Sequence, residues 1–247
     1  MRLLLKDDRG KEYWKNKSRR ILVAVKSCHR DISNGCNIAV RETWGKDLPK
    51  CCDLKFFVGN GDSKLLPDEV RIYCPDDFYH LPDKMRGILN WFLGRPEYDY
   101  IFLFDTDTYV IVNRWMRTRF WKHDYTGFFS NGYKIGQQYE SMVDNRGQKI
   151  SPFYAYASAH ACGLSRKAAR PIVQHDPDHW ADDLWLGQIL GPMIGPYDFY
   201  NPDRITASGL YQGDKAIFHM NASTLAPGRR NPAEWMRWMS KMPKDCR

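Results

Sequence analysis

The stretch YDYIFLFDTDTYV, residues 98–110, decides how the chain is read. Its run from Tyr100 to Phe104 has the length and the β-branched and aromatic content of a buried strand. It passes directly into Asp105 and Asp107, separated by Thr106. Two carboxylates at a strand end cost stability unless positive charge lies between them. The stretch therefore predicts a strand that ends at a site.

Upstream, the pattern repeats. ILVAV at residues 21–25 reads as a buried strand with basic residues before it, and LKFFV at 54–58 as a second strand, stopped by Gly59-Asn-Gly61. VRIY at 70–73 is a short third strand. Between them, residues 38–44 have the look of a helical turn stopping at Gly45. Residues 82–93 carry Met85, Ile88, Leu89 and Phe92 at helical spacing, with Pro82 suited to the first turn and Gly94 to the stop. Strand and helix alternate, which predicts an α/β fold with a mostly parallel central sheet flanked by helices. Ligands in such sheets sit at the carboxyl ends of the strands, where Asp105 and Asp107 fall. The second half is less regular. Residues 125–130 and 154–164 read as strands or covering loops, 131–150 as a polar loop, and 165–173, 183–190 and 231–239 as helices. The 247 residues suit a single domain, 1–247.

Composition narrows the function classes. The net charge is +8, yet no compact Lys/Arg block is interleaved with aromatics, so nucleic acid is not expected as a partner. A solvated basic surface fits better, with attraction for anionic substrates and peripheral membrane contact as its possible uses. The seven cysteines form no CxxC pair, which argues against zinc. Pairings such as Cys28 with Cys36 or Cys51 with Cys74 stay open, although a reducing compartment is expected. The N-terminal MRLLLKDDRGKEYW has an apolar run of three leucines, too short for a signal peptide or an anchor. The sequons at Asn16 and Asn221 then read as chance matches.

Three readings compete for FDTDTYV, residues 104–110. Asp and Thr are good helix N-caps. A haloacid-dehalogenase-type phosphatase uses the first aspartate of DxDxT as nucleophile. A DxD site holds a hard divalent ion that bridges the phosphates of a nucleotide sugar. Phosphatases of that class carry the motif on their first strand, whereas three strands and a helix come first here. An EF-hand loop is excluded, because no glycine or bidentate glutamate follows at the required offsets.

Separated segments then match one family in order. Arg41-Glu-Thr-Trp-Gly45 resembles RxTWG, and Tyr79-His-Leu-Pro-Asp-Lys-Met85 resembles YxNLPxKT. Phe104-Asp-Thr-Asp-Thr-Tyr-Val110 resembles the DDDxYV core. Tyr156 to Ser165 resembles YxSGGGYVLS, Asp182-Asp-Leu-Trp-Leu-Gly187 resembles EDVYxG, and Ile217-Phe-His219 resembles a late histidine segment. These are motifs of the β-1,3-galactosyltransferase and N-acetylglucosaminyltransferase family, relatives of Fringe, and they cover roughly residues 20 to 222 of this sequence.

The resemblance implies a GT-A fold, with a nucleotide-sugar-binding half over 20–110 and an acceptor and catalytic half over 111–247, and a transferase that moves a hexose, galactose first, from a UDP-sugar to an acceptor glycan with inversion, using Mn²⁺ or Mg²⁺. It implies Asp105, Asp107 and His219 as metal ligands, with Asp107 the most direct. It implies Asp183 as the base for the acceptor hydroxyl, with Asp182 in the glutamate's place; a helix N-cap pair is the plainer reading of these two. Ser27, Arg41, Lys84, Asp105 and Thr106 are implied on the donor side, although Arg41 would equally brace a loop. Trp44 reads as core packing rather than a stacking surface. Ala159-His160 replaces the family's glycine pair, which alters the donor pocket. Animal relatives carry a lumenal stem and membrane anchor. None is read here, so a soluble, cytoplasmic enzyme of microbial or viral type is expected. A phosphatase with Asp105 as nucleophile and a non-catalytic carbohydrate-binding relative remain as alternatives.

Overall fold

The computed structural model describes residues 20–129, 136–143, 147–193, 199–200, 206–208, 216–219 and 232–241. The first half alternates as the sequence predicts. β1 (Ile21–Lys26) leads to the short helices α1 (His29–Ser33) and α2 (Cys36–Glu42), then β2 (Cys52–Val58), β3 (Glu69–Arg71), α3 (Leu81–Leu93) and β4 (Tyr100–Asp105). The turn between α1 and α2 is made by Gly35, whose φ of 75° lies in the left-handed region that glycine enters at least cost. Beyond β4 come β5 (Thr108–Val110), α4 (Val112–Arg117) and β6 (Tyr125–Phe129). Four two-residue strands follow: β7 (Gln138–Tyr139), β8 (Met142–Val143), β9 (Lys149–Ile150) and β10 (Phe153–Tyr154). Then come β11 (Ala157–Ser165), α5 (Arg166–Ile172), α6 (Asp182–Leu190), β12 (Phe199–Tyr200), β13 (Thr206–Ser208), β14 (Ile217–His219) and α7 (Pro232–Lys241).

The central sheet has seven strands in the order β12-β6-β11-β4-β1-β2-β3. β3, β2, β1 and β4 are mutually parallel, whereas β11 runs against both β4 and β6. The expectation of a mostly parallel sheet flanked by helices therefore holds, with one reversed strand inside it. A second sheet, β13-β14-β5, branches off just beyond β4.

Strand periodicity sorts the core into two layers. Ile21, Val23 and Val25 of β1 and Tyr100, Phe102 and Phe104 of β4 join the layer that contains α2, α4 and α7. Leu22 and Ala24 of β1 and Ile101 and Leu103 of β4 join the layer of α3, α5 and α6. A third, small cluster joins Ile150 and Phe153 to Ala181 and Leu184 at the start of α6.

Several expectations need correction. The region 131–150 is not wholly a loop, because β7 pairs with β10 and β8 with β9. Cys28, Cys36, Cys51 and Cys74 are free thiols, so neither candidate disulfide forms. Among the described residues no helix is long and apolar enough to cross a membrane. The sequons and Cys246 lie outside the described residues.

Candidate active site

β1 and β4 are adjacent, and the chain leaves β1 toward β2 on one side and returns through α3 to β4 on the other. The crevice at their carboxyl ends is the switch point at which open α/β sheets bind ligands. Lys26 and Asp105 are register partners there. Both follow the periodicity of Leu22, Ala24, Ile101 and Leu103, which turns them toward the α6 layer. The Lys26 Nζ lies 3.0 Å from Asp105 Oδ1 and donates to Asp182 Oδ2 at 2.6 Å. The side chains of Lys26 and Asp182 are 2% and 4% exposed, and that of Asp105 is 31% exposed. Burial opposes the charge on Lys26, but the carboxylates of Asp105 and Asp182 outweigh it and hold the pKa above that of an ordinary lysine. Lys26 is thus the positive group that the strand-end carboxylate requires.

Asp105-Thr106-Asp107 is not a helix cap. The chain turns at Thr106 and Asp107 and enters β5, and the residue that precedes α4 is Ile111. The turn is held from three directions. The Thr106 hydroxyl donates to Asp31 Oδ2 at 2.6 Å, the Thr108 hydroxyl donates to the His160 carbonyl at 3.2 Å, and Trp44 Nε1–H donates to the Thr108 carbonyl at 2.9 Å. Trp44 is fully buried and packs against Phe104 with ring centroids 5.3 Å apart, so core packing is its role. The local field is negative: burial and then the charges of Asp31 and Asp107 push the Cys36 thiol up to about 12. β14 pairs with β5 and sets the backbone of His219 opposite Thr108, so the late histidine segment is brought beside the turn across 111 positions (219 − 108) of sequence.

The donor-side candidates are built into the frame around this edge. The Ser27 hydroxyl donates to Asn37 Oδ1 at 2.8 Å, and Asn37 Nδ2 donates to Glu69 Oε1 at 3.0 Å. Arg41 grips Asp68 through two bonds of 2.8 Å and reaches Glu69 Oε1 at 2.7 Å, while its guanidinium lies 4.4 Å from the centre of the Phe56 ring. This is the loop-bracing role. Lys84 is buried and donates to the Ser27 carbonyl at 2.8 Å and to Asp76 Oδ1 at 2.6 Å. Asp76 also accepts the N–H of His29 at 2.6 Å and of Gly59 at 2.9 Å. Burial raises the Asp76 pKa, but Lys84 and the two N–H donors overcome it and leave the carboxyl below its ordinary value. A Cβ on Gly59 would stand 2.8 Å from Asp76 Oδ1, so the loop after β2 needs glycine for this close approach. Lys84 and Asp76 together tie the loops after β1 and β2 to the start of α3.

Asp182 and Asp183 occupy the first turn of α6, and the N-cap position belongs to Ala181. Neither is the cap that the plainer reading expected. Their directions differ: Asp182 points into Lys26, while Asp183 is half-buried and accepts the Leu184 N–H at 2.9 Å. Both carboxylates are favoured by the positive end of the helix. Opposite them, β11 shifts register against β6 between Ala157 and Cys162. Such bulges re-aim side chains beside sites, and this one spans the Ala159-His160 substitution. The His160 Nδ1 is 2.8 Å from the Ser158 hydroxyl.

Lys26 and Asp31 were not anticipated from sequence. Lys26 had a readable sign, since a lysine in phase with Leu22 and Ala24 at the end of ILVAV must find anionic partners. Asp31 had none. The charge of this edge suits a hard cation, but the donors form no complete cage. Among the described residues no three His, Cys, Asp or Glu side chains are grouped to hold a metal ion, and one oxygen of Asp105 faces Lys26. Ions such as Mg²⁺ are commonly held by one or two carboxylates plus substrate phosphates, a role that Asp107 fits. No model of a known protein family matches the chain, and no curated protein matches it.

Proposed function

We propose that the chain is an inverting, metal-dependent glycosyltransferase of GT-A type that moves a hexose, galactose first, from a UDP-sugar to a hydroxyl of an acceptor glycan. The observation that carries this reading is the placement of the Asp105-Thr106-Asp107 turn. It stands at the β1/β4 switch point, with the first turn of α6 brought against it through Lys26. Asp107 is the protein's carboxylate for a Mn²⁺ or Mg²⁺ ion, and the backbone register that sets His219 opposite Thr108 supports His219 as a second ligand. Bound there, the ion supplies positive charge to the departing diphosphate.

The chain's own residues do the rest. Asp183 takes the proton of the acceptor hydroxyl as that oxygen bonds to the anomeric carbon. The bond from that carbon to UDP breaks with its electron pair on the phosphate oxygen. Asp182, locked on Lys26, fixes the helix turn that carries Asp183, and Trp44 and Asp31 fix the turn that carries Asp107. Ser27, Arg41 and Lys84 set the shape of the nucleotide cleft through their frame contacts. The test is UDP release from a panel of UDP-hexoses. It should require a divalent ion and should speed up when an acceptor glycan is supplied.

The contact of Asp105 with Lys26 favours one other reading. An aspartate beside a buried lysine would also serve as a nucleophile toward a phosphate monoester, with the lysine neutralising the phosphoryl oxygens. Turnover of nitrophenyl phosphate, abolished in Asp105→Asn, would select that phosphatase.

A further inference from the structure

Phe78 and Trp180 form an aromatic pair with ring centroids 5.0 Å apart and planes at 33°. Phe78 opens the turn that precedes α3, and Trp180 stands two residues before α6. α3 follows β3, so its start lies at the carboxyl edge of the sheet, and the first turn of α6 lies there through Asp182 and Lys26. The pair thus bridges the starts of α3 and α6, and Trp180 stands three residues before Asp183. Phe78 is 52% exposed, and Tyr79 beside it is 62% exposed. Trp180 is backed by the small cluster of Ile150, Phe153, Ala181 and Leu184, which fixes its ring from behind. Polar groups sit close to both rings in sequence: Asp77, before Phe78, accepts the N–H of Tyr79 and of His80 and lies 2.8 Å from His80 Nδ1, and Asp178, two residues before Trp180, lies 3.6 Å from His179 Nε2.

A partly exposed aromatic pair with polar side chains close by in sequence suits one ligand chemistry. The C–H face of a pyranose is apolar and lies on aromatic rings, while its hydroxyls donate to carboxylate oxygens. We propose that Phe78 and Trp180 form the acceptor subsite, and that it takes a neutral sugar ring beside Asp183. The assignment of the ring as acceptor rests on the transferase reading; the binding of a neutral sugar at this pair does not.

The probes are methyl β-galactoside, methyl β-N-acetylglucosaminide and methyl α-mannoside, observed by saturation-transfer NMR with and without saturating UDP and Mn²⁺. Wild-type protein should saturate the ring C–H protons of at least one glycoside. Phe78→Ala should weaken that glycoside's affinity about fivefold, the order of one aromatic contact. Trp180→Ala should do the same and Trp180→Phe should retain most binding. Phe78 is exposed enough for its variant to fold even if Trp180→Ala does not. UDP affinity, titrated in parallel, should be unchanged in Phe78→Ala. Glycoside binding without UDP binding would leave the sugar subsite standing and remove the transferase reading. No glycoside saturation in the wild type under either condition, or saturation unaltered in Phe78→Ala, would overturn the subsite.

Discussion

Replacing Lys26 with methionine tests the ion triad that organises the site. Methionine keeps most of the apolar stem of lysine and removes its charge. Asp105, 31% exposed, can then turn to water, but Asp182, at 4%, cannot. Breaking a buried pair by removing one partner costs about 3–5 kcal/mol. For a chain of this size each kcal/mol moves Tm by about 2–4 °C, so Lys26→Met should melt roughly 6–20 °C below wild type at pH 7. The loss should depend on pH with a definite sign. In the variant a buried carboxylate is left without its cation, which disfavours its charged form. The penalty for that stranded charge is then smallest in acid and grows toward neutral pH. The Tm gap should therefore be smallest near pH 4 and widen toward pH 7. Adding Asp182→Asn to the variant removes the stranded charge and should recover more than half of the loss. Thermal melts of the three proteins from pH 4 to 8 read all of this. A Tm within about 2 °C of wild type at every pH would refute the triad as a structural element.

Two further outcomes follow from the same geometry. Asp76 has a depressed folded pKa, so its contribution is complete above the unfolded value and is lost as pH falls through the folded one; Asp76→Asn should lower stability at pH 7 by about 3 kcal/mol and flatten the acid limb of a melt series below about pH 4. Asp183→Asn should slow glycosyl transfer by roughly 10² to 10⁴ while UDP affinity, from calorimetry, stays at the wild-type value, because the base acts on the acceptor hydroxyl and not on the nucleotide.

What the sequence made legible follows from how each signal is encoded. β1, β2 and β4 are continuous apolar runs, and α3 carries helical spacing with Pro82 and the Gly94 stop at its ends. These are local patterns, and local patterns read well. β5 is three residues long and follows two aspartates and a threonine that also suit a helix cap. Its strand character comes from pairing with β14, which lies a hundred residues on. The switch point was legible in outline, because alternation predicts parallel strands and their carboxyl ends hold the site. Its charge balance was not. Lys26 meets Asp182 across 156 positions of sequence, and Arg41 meets Asp68 and Glu69 across 27 and 28. No spacing rule links such partners, and only the folded sheet brings them together. Motif matching drew Arg41 and Lys84 toward phosphate, whereas their nearest anions are the protein's own carboxylates. The same loss of long-range information left Cys28–Cys36 and Cys51–Cys74 as plausible bridges, although all four thiols are free.

The central claim is that the Asp105-Thr106-Asp107 turn receives a metal-bound nucleotide diphosphate. Calorimetric titration of the protein with UDP-galactose and UDP, with and without Mn²⁺, tests it most directly, with Asp107→Ala as the paired variant. Binding that requires Mn²⁺ and disappears in Asp107→Ala is the result the account predicts. Absence of nucleotide binding with Mn²⁺ present, or binding of the same strength without the metal and in Asp107→Ala, would contradict it.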